Sequence, residues 1–313
     1  MIEVDGIINP ATAKFITNAI DQAAQQNAQC LIIQLDTPGG LMESMRLIVK
    51  KTLTSTVPVV VYVAPSGARA ASAGVFITMA ANIAVMAPST HIGAAHPVSL
   101  GEGKENKTMT EKILNDTVSY IKTIAKTRGR NADWGEKAVV KSVSITEEEA
   151  VKLNVVDFIS PDVRDLLARI DGKVIKLDGG LTRTLQTKGV QPRSIEMSWR
   201  YKILDIISNP TIAYILLMLG IYGIFFELSN PGAILPGVVG GIFLILAFYA
   251  LQMLPVNFAG LALILFAIIL FIAEIKVVSH GLLAVGGVIS LLLGSLMLIE
   301  SPAEYMKISL TVI

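Results

Sequence analysis

Residues 209–300 carry almost no charged side chain, whereas residues 1–205 hold nearly all of the Lys, Arg, Asp and Glu of this 313-residue chain. Only 16% of the residues are charged, against about 25% in soluble domains. Because about 20 apolar residues suffice for one membrane-spanning helix, the apolar runs predict four spans. They lie at about 212–226, 234–254, 258–275 and 282–299.

The first 160 residues alternate apolar runs of strand length with helical patterns. This alternation predicts βαβ units and a mostly parallel sheet with its site at the carboxyl ends of the strands. The patterns further predict a long helix over 110–128, a capped helix from Thr146 and a polar linker over 178–198. Strands are predicted over 2–8, 30–35, 57–64 and 83–87, and helices over 11–26, 42–54 and 71–81.

Composition excludes several classes of protein. A net charge of +1 gives no argument for nucleic-acid binding. The single cysteine, Cys30, lies in an apolar run and permits no disulfide within the chain. There is no metal-ligand cluster and no phosphate-binding loop in the sequence, so no cofactor is predicted.

Two turns of small residues follow predicted strands. One is Leu35-Asp-Thr-Pro-Gly-Gly40, and the other, Gly67-Ala-Arg-Ala-Ala-Ser-Ala-Gly74, contains Ser72. Acyl transfer needs an exposed nucleophile at the start of a helix and free amides for an oxyanion. We expect the turns to meet at one edge of the sheet, although a serine among alanines also fits simple helix packing.

A serine nucleophile needs a base, and the pattern alone leaves that base open. A lysine can act when its surroundings lower its pKa. The apolar stripe of the long helix places Lys112 on the far side and Lys122 nearer the edge. The candidates are His91, His96, Lys104, Lys107, Lys112, Lys122 and Lys126.

Four segments together carry a family resemblance: Leu35-Asp-Thr-Pro-Gly-Gly40, Ala70-Ala-Ser-Ala-Gly74, Ile92-Gly-Ala-Ala-His-Pro97 and Thr146-Glu-Glu-Glu-Ala-Val-Lys-Leu-Asn-Val-Val-Asp157. With them the chain resembles the long form of the NfeD family, membrane-bound serine peptidases of the Clp protease superfamily related to signal peptide peptidase A. The resemblance covers essentially the whole chain and implies a Ser–Lys dyad of Ser72 and Lys112, with the amides of Gly40 and Ala73 as the oxyanion hole.

Two positions depart from related proteins. His96 falls close to the triad histidine of soluble Clp proteases, but Ser142 stands where their triad aspartate is expected. Without a carboxylate to fix its tautomer, His96 is a poorer base. We therefore predict Lys112, with His96 and then Lys122 as alternative bases. Asn154 replaces a glycine that relatives usually have.

The predicted fold class is an α/β Clp/crotonase-like soluble domain followed by an all-α multi-span transmembrane domain. We expect the protease domain at 1–170, a linker and domain edge at 171–204, about four membrane helices at 205–300, and the start of a missing C-terminal region of OB-fold type at 301–313. The resemblance implies apolar peptide segments as substrates, a stomatin- or prohibitin-like membrane partner, the lipid bilayer, a homo-oligomer of at least two copies, and an extracytoplasmic protease domain.

Three alternatives remain at this stage. The chain could be a crotonase-type acyl-CoA enzyme, which shares the sheet and the oxyanion hole without needing Ser72. It could be a non-catalytic membrane scaffold for a stomatin-like protein. It could also be the same peptidase with His96 as the base.

Overall fold

The structure is a computed structural model that describes all residues except 99–106, 231, 233, 253, 255, 278–279 and 300–306. Lys104 lies outside the described residues. Contacts divide the chain into two compact units, one formed by Met1–Pro97 with Lys107–Lys202 and one containing Ile203–Ile313.

The first unit contains all strands of the described residues. They are β1 (Ile2–Asp5), β2 (Leu31–Asp36), β3 (Val59–Val63), β4 (Arg69–Ala71), β5 (Ile83–Met86), β6 (His91–Gly93), β7 (Ser144–Thr146), β8 (Phe158–Ile159), β9 (Val174–Lys176) and β10 (Thr182–Thr184).

Helices connect these strands, and only helices follow β10 in the described residues. They are α1 (Pro10–Gln25), α2 (Met42–Leu53), α3 (Ala73–Ala80), α4 (Lys107–Arg128), α5 (Ala132–Val140), α6 (Glu147–Lys152), α7 (Val163–Ile170), α8 (Trp199–Ile207), α9 (Pro210–Ser229), α10 (Ile234–Leu251), α11 (Phe258–Lys276) and α12 (Leu282–Leu298).

The central sheet is parallel throughout, in the order β1-β2-β3-β5-β8. Alternate residues of its strands face two different cores: Ile33 and Val61 enter one, and Ile32 and Val60 enter the other. Such burial on both faces explains the nearly unbroken apolar runs. The predicted α/β fold class is confirmed, and β4, β6 and β7 form a small second sheet beside it.

Two features of the first unit differ from the sequence-based expectation. Helix α5 was not predicted. The segment 178–198, predicted as a polar linker, contains β10, which pairs antiparallel with β9, and Leu185 and Thr187 are buried against the unit. Strand β10 has only three residues, and the fully buried Leu185 follows it directly. Such a short segment has too little hydrophobic periodicity to be detected from the sequence.

Apolar helices α9 to α12 occupy the positions of the four predicted spans. Helices α9 and α10 are long and apolar enough to cross a membrane, and only 22% and 28% of their apolar windows are buried inside the chain. Because a core helix of a soluble protein would be mostly buried, this exposure favours a membrane. Within the described residues, α11 over Phe258–Glu274 and α12 are also apolar but shorter.

Candidate active site

The two small-residue turns meet, as predicted. Thr37 follows β2 and pairs with β4: its N–H donates to the Arg69 carbonyl at 2.8 Å, and the Ala71 N–H donates to the Thr37 carbonyl at 3.0 Å. A Cβ on Gly74 would lie 2.8 Å from Thr37 Cγ2. The buried Thr37 side chain, which pattern reasoning did not single out, thus joins the glycine turn to the start of α3.

Ser72 is the N-cap of α3 and has φ 51° and ψ −111°. A positive φ is uncommon for a residue other than glycine and costs about 1–3 kcal/mol, so neighbouring contacts must hold it. Ser72 is half-buried, and its side chain makes no capping hydrogen bond to α3. The hydroxyl is therefore not engaged by the helix that it begins.

Two amides near this turn lack hydrogen-bond partners among the described residues. The Ala73 N–H belongs to the first residue of α3, where a helix leaves its amides unpaired. The Gly40 N–H is also unpaired, because Ile8 bonds instead to Gly39 O and to the Leu41 N–H, each at 2.8 Å. Both N–H groups can donate hydrogen bonds to a developing oxyanion.

Helix α4 runs in the same direction as α2 and α3. Near its end, Arg128 donates from Nε to the Ala80 carbonyl at the end of α3 (2.7 Å) and from Nη2 to the Thr52 carbonyl of α2 (3.2 Å). Halfway along, the Tyr120 ring stacks on Phe76 of α3 with a centroid distance of 6.1 Å. The first turns of α4 therefore lie at the edge where α3 begins.

Lys112 stands at this end of α4. It precedes Tyr120 by about 12 Å along the α4 axis, and Ser72 precedes Phe76 by about 6 Å along the α3 axis. Because Tyr120 and Phe76 lie side by side, the Lys112 backbone is offset from Ser72 by roughly one helical turn along the axes. The side chain is exposed and pairs with none of the described residues, and no hydrogen bond joins it to Ser72. Lys112 and Ser72 therefore lie toward the same end of their helices, and the two side chains are not in contact.

His96 is half-buried and held by the end of α5. Its Nδ1 lies 2.8 Å from the Val139 carbonyl oxygen, and the neighbouring Ala95 N–H donates to the Ala138 carbonyl at 2.9 Å. Because a carbonyl only accepts, Nδ1 carries the hydrogen and Nε2 of the neutral ring is free to accept. The Val139 backbone carbonyl thus orients the His96 ring. Ser142, which stands where a triad aspartate is expected, is exposed.

Lys122 is engaged elsewhere. Its Nζ lies 2.6 Å from Glu136 Oε2, and this hydrogen bond and charge raise the pKa of Lys122 above its usual value. An ammonium held in its charged form cannot accept the Ser72 proton. Within the described residues there is no group of three His, Cys, Asp or Glu side chains arranged to hold a metal ion.

Two family models match the chain. Residues 1–170 match the NfeD1b N-terminal domain, and residues 211–313 match the NfeD integral membrane domain. The membrane-bound protease PH1510 of Pyrococcus horikoshii is 36% identical over 97% of this chain and 69% of its own length. The membrane protein NfeD1b of Bacillus subtilis is 27% identical over 100% of this chain and 69% of its own.

Solved structures of the 1510-N membrane-bound stomatin-specific protease also resemble the chain. A serine-to-alanine mutant is 36% identical, with a TM-score of 0.57 over 62% of this chain and 95% of its own. A lysine-to-alanine mutant in complex with a substrate peptide is 35% identical, with a TM-score of 0.60 over 66% and 95%.

Proposed function

Since the chain belongs to the NfeD family and is a serine protease, we propose that it cleaves apolar polypeptide segments with Ser72 as nucleophile and Lys112 as general base. The observation that carries this proposal is the strained Ser72 turn. The Ser72 hydroxyl is unused by α3, and the neighbouring N–H groups of Gly40 and Ala73 have no hydrogen-bond partner in the described part of the chain. A serine and a lysine are also the residue types replaced in the solved relatives.

In the proposed reaction, the neutral Lys112 amine accepts the Ser72 proton while Oγ attacks the scissile carbonyl carbon. The oxyanion of the tetrahedral intermediate binds the Gly40 and Ala73 amides. Collapse breaks the C–N bond, and the leaving amine takes the proton from Lys112. A water that gives its proton to Lys112 then hydrolyses the acyl-enzyme, and Ser72 recovers its hydrogen.

The open position of Lys112 is compatible with this role. Its flexible four-carbon stem allows the amine to move from solvent toward the Ser72 hydroxyl. Catalytic hydrogen bonds often form fully only when substrate is bound. Burial under a bound peptide would also remove water from the amine and favour its neutral form.

We also propose the organisation that the resemblance implies: a protease domain at 1–170, a linker and domain edge at 171–204, and about four membrane helices at 205–300. In this proposal the chain is a multi-pass homo-oligomer with an extracytoplasmic protease domain. A relative is named for its specificity for a stomatin homologue, which supports a stomatin-like substrate or partner here.

The full chain in lipid vesicles tests the function directly. We expect cleavage of a peptide from an apolar segment of a stomatin-like protein, and no cleavage of a polar peptide of equal length. Ser72→Ala should abolish cleavage. Equal cleavage by the Ser72→Ala protein would contradict the role of Ser72, whereas no cleavage by the wild type would favour a non-catalytic membrane scaffold.

A second candidate keeps the same peptidase but uses His96 as the base. The observation in its favour is the Val139 carbonyl, which leaves Nε2 of the neutral ring unprotonated. It requires that His96→Ala abolish cleavage while Lys112→Ala retains it.

A further inference from the structure

One cluster of four side chains joins α2, α3 and α4. Arg46 of α2 forms an ion pair with Asp116 of α4, and its guanidinium carbon lies 4.7 Å from the centroid of the Tyr120 ring. Tyr120 in turn stacks on Phe76 of α3 with an angle of 21° between the rings. We call Arg46, Phe76, Asp116 and Tyr120 the three-helix brace.

Each helix of the brace contains, or begins just after, one part of the proposed active site. Phe76 lies one turn after Ser72, and Asp116 lies one turn after Lys112. On α2, Arg46 follows the Gly40 turn by six residues. Any shift of α4 against α2 and α3 would therefore move Lys112 relative to Ser72.

Asp116 is also at the right spacing on α4 to form an ion pair with Lys112. Residues four apart on a helix are neighbours on its surface, so a lysine and an aspartate at this spacing can form an ion pair. With Arg46 present, Asp116 is engaged by α2, and Lys112 has no partner among the described residues. Without Arg46, the carboxylate would be free to hold the ammonium of Lys112.

We propose that Arg46 is a positioning residue of the protease: it fixes the Lys112 turn of α4 beside Ser72 and keeps the Asp116 carboxylate away from the catalytic amine. This inference rests on the proposed function. It concerns Arg46 and Asp116, which do not touch the reacting atoms.

Few other charges face this end of α4. Helix α3 has none, and α5 meets α4 at Lys122 and Glu136, more than two turns away. Glu111 is adjacent to Lys112 and exposed, and on α2 both Glu43 and Lys50 are exposed. None of these side chains forms an ion pair within the described residues. Asp116 is therefore the carboxylate that loses its ion-pair partner when Arg46 is removed.

The test is a pH–rate profile of the full chain in vesicles. Arg46→Ala should lower kcat by about ten- to a hundredfold with KM changed by no more than about twofold. The acidic limb of the Arg46→Ala profile should move to higher pH by a few tenths of a unit, because Asp116 then favours the protonated form of Lys112. Lys50→Ala, on the next turn of α2, is the control and should match the wild type.

The double variant Arg46→Ala/Asp116→Ala separates this role from a structural one. Removing the released carboxylate should return the acidic limb to the wild-type pH, although the plateau rate stays low. Arg46→Lys should keep the limb in place, because a cation still engages Asp116. A loss of packing alone would leave the limb unshifted in every variant, and that result would overturn the inference.

Lys112→Ala distinguishes the two levels of the proposal. If Lys112→Ala is inactive but the limb of Arg46→Ala does not move, the inference about Arg46 fails alone. If Lys112→Ala keeps wild-type activity, the proposed dyad fails, and the inference fails with it.

Discussion

The backbone N–H of Ser72 donates a 3.0 Å hydrogen bond to the carbonyl oxygen of Gly93. This bond ties the Ser72 turn to the end of β6 and helps to hold the serine at its positive φ. Gly93 has φ 151°, and a Cβ at this position would lie 2.3 Å from the Val143 carbonyl oxygen. The geometry of Ser72 therefore depends on the absence of a side chain at residue 93.

Gly93→Ala should separate β6 from β7 and release the Ser72 turn. We expect the free energy of unfolding to fall by about 3 kcal/mol, from overpacking and backbone strain, and peptide cleavage to be lost. Chemical denaturation and peptide hydrolysis measure the two effects. Gly67→Ala is the matched control, because Gly67 has φ 91° but open space around its Cβ position. Equal effects of the two substitutions would contradict a specific role for Gly93.

Gly40→Ala should weaken the oxyanion hole. Its Cβ would lie 2.2 Å from the Ile8 carbonyl oxygen, so the Gly40 peptide must shift and carry its N–H away from the substrate. Loss of one oxyanion donor lowers kcat by about 10²–10³, with a smaller change in KM. Steady-state hydrolysis in vesicles measures both, and a kcat near the wild-type value would exclude the Gly40 amide from catalysis.

Lys122→Met should leave the activity unchanged, because Lys122 is engaged by Glu136. Its raised pKa means that the ion pair stabilises the fold below the usual lysine pKa of 10.5 and ceases to do so as pH rises through the raised value. The variant should therefore be slightly less stable than the wild type at neutral pH, with the difference vanishing at strongly alkaline pH. Unfolding curves across pH test this, and a large loss of cleavage would restore Lys122 as a candidate base.

Gly240→Ala should weaken the α9–α10 hairpin. A Cβ on Gly240 would lie 2.8 Å from the Gly220 carbonyl oxygen, whereas the neighbouring Gly241 has open space. Overpacking costs about 1–3 kcal/mol, so Gly240→Ala should lower the thermal midpoint of the membrane-embedded protein while Gly241→Ala does not. Identical midpoints for the two variants would contradict this close packing.

The fold could be predicted from the sequence because the patterns that indicate its strands and helices are local. Buried parallel strands such as β3 read as unbroken apolar runs, and Thr146 with Glu149 forms the predicted capping box of α6. Asn154, which departs from a usual glycine, has φ 56°, a conformation that asparagine tolerates better than most residues.

The site was only partly accessible, because its remaining features arise from tertiary contacts. The Val139 carbonyl that orients His96, the Glu136 partner of Lys122 and the Arg46 contact with Asp116 join residues 14 to 70 positions apart. No spacing rule links such pairs. The serine turn could be predicted because a strand, small residues and a helix follow one another in the sequence.

The most direct test of the Ser–Lys proposal is the rate of apolar-peptide cleavage by the full chain in vesicles, compared for the wild type, Ser72→Ala, Lys112→Ala and His96→Ala. The proposal predicts that Ser72→Ala and Lys112→Ala each lose nearly all activity while His96→Ala retains most of it. Undiminished cleavage by Lys112→Ala together with an inactive His96→Ala would contradict it.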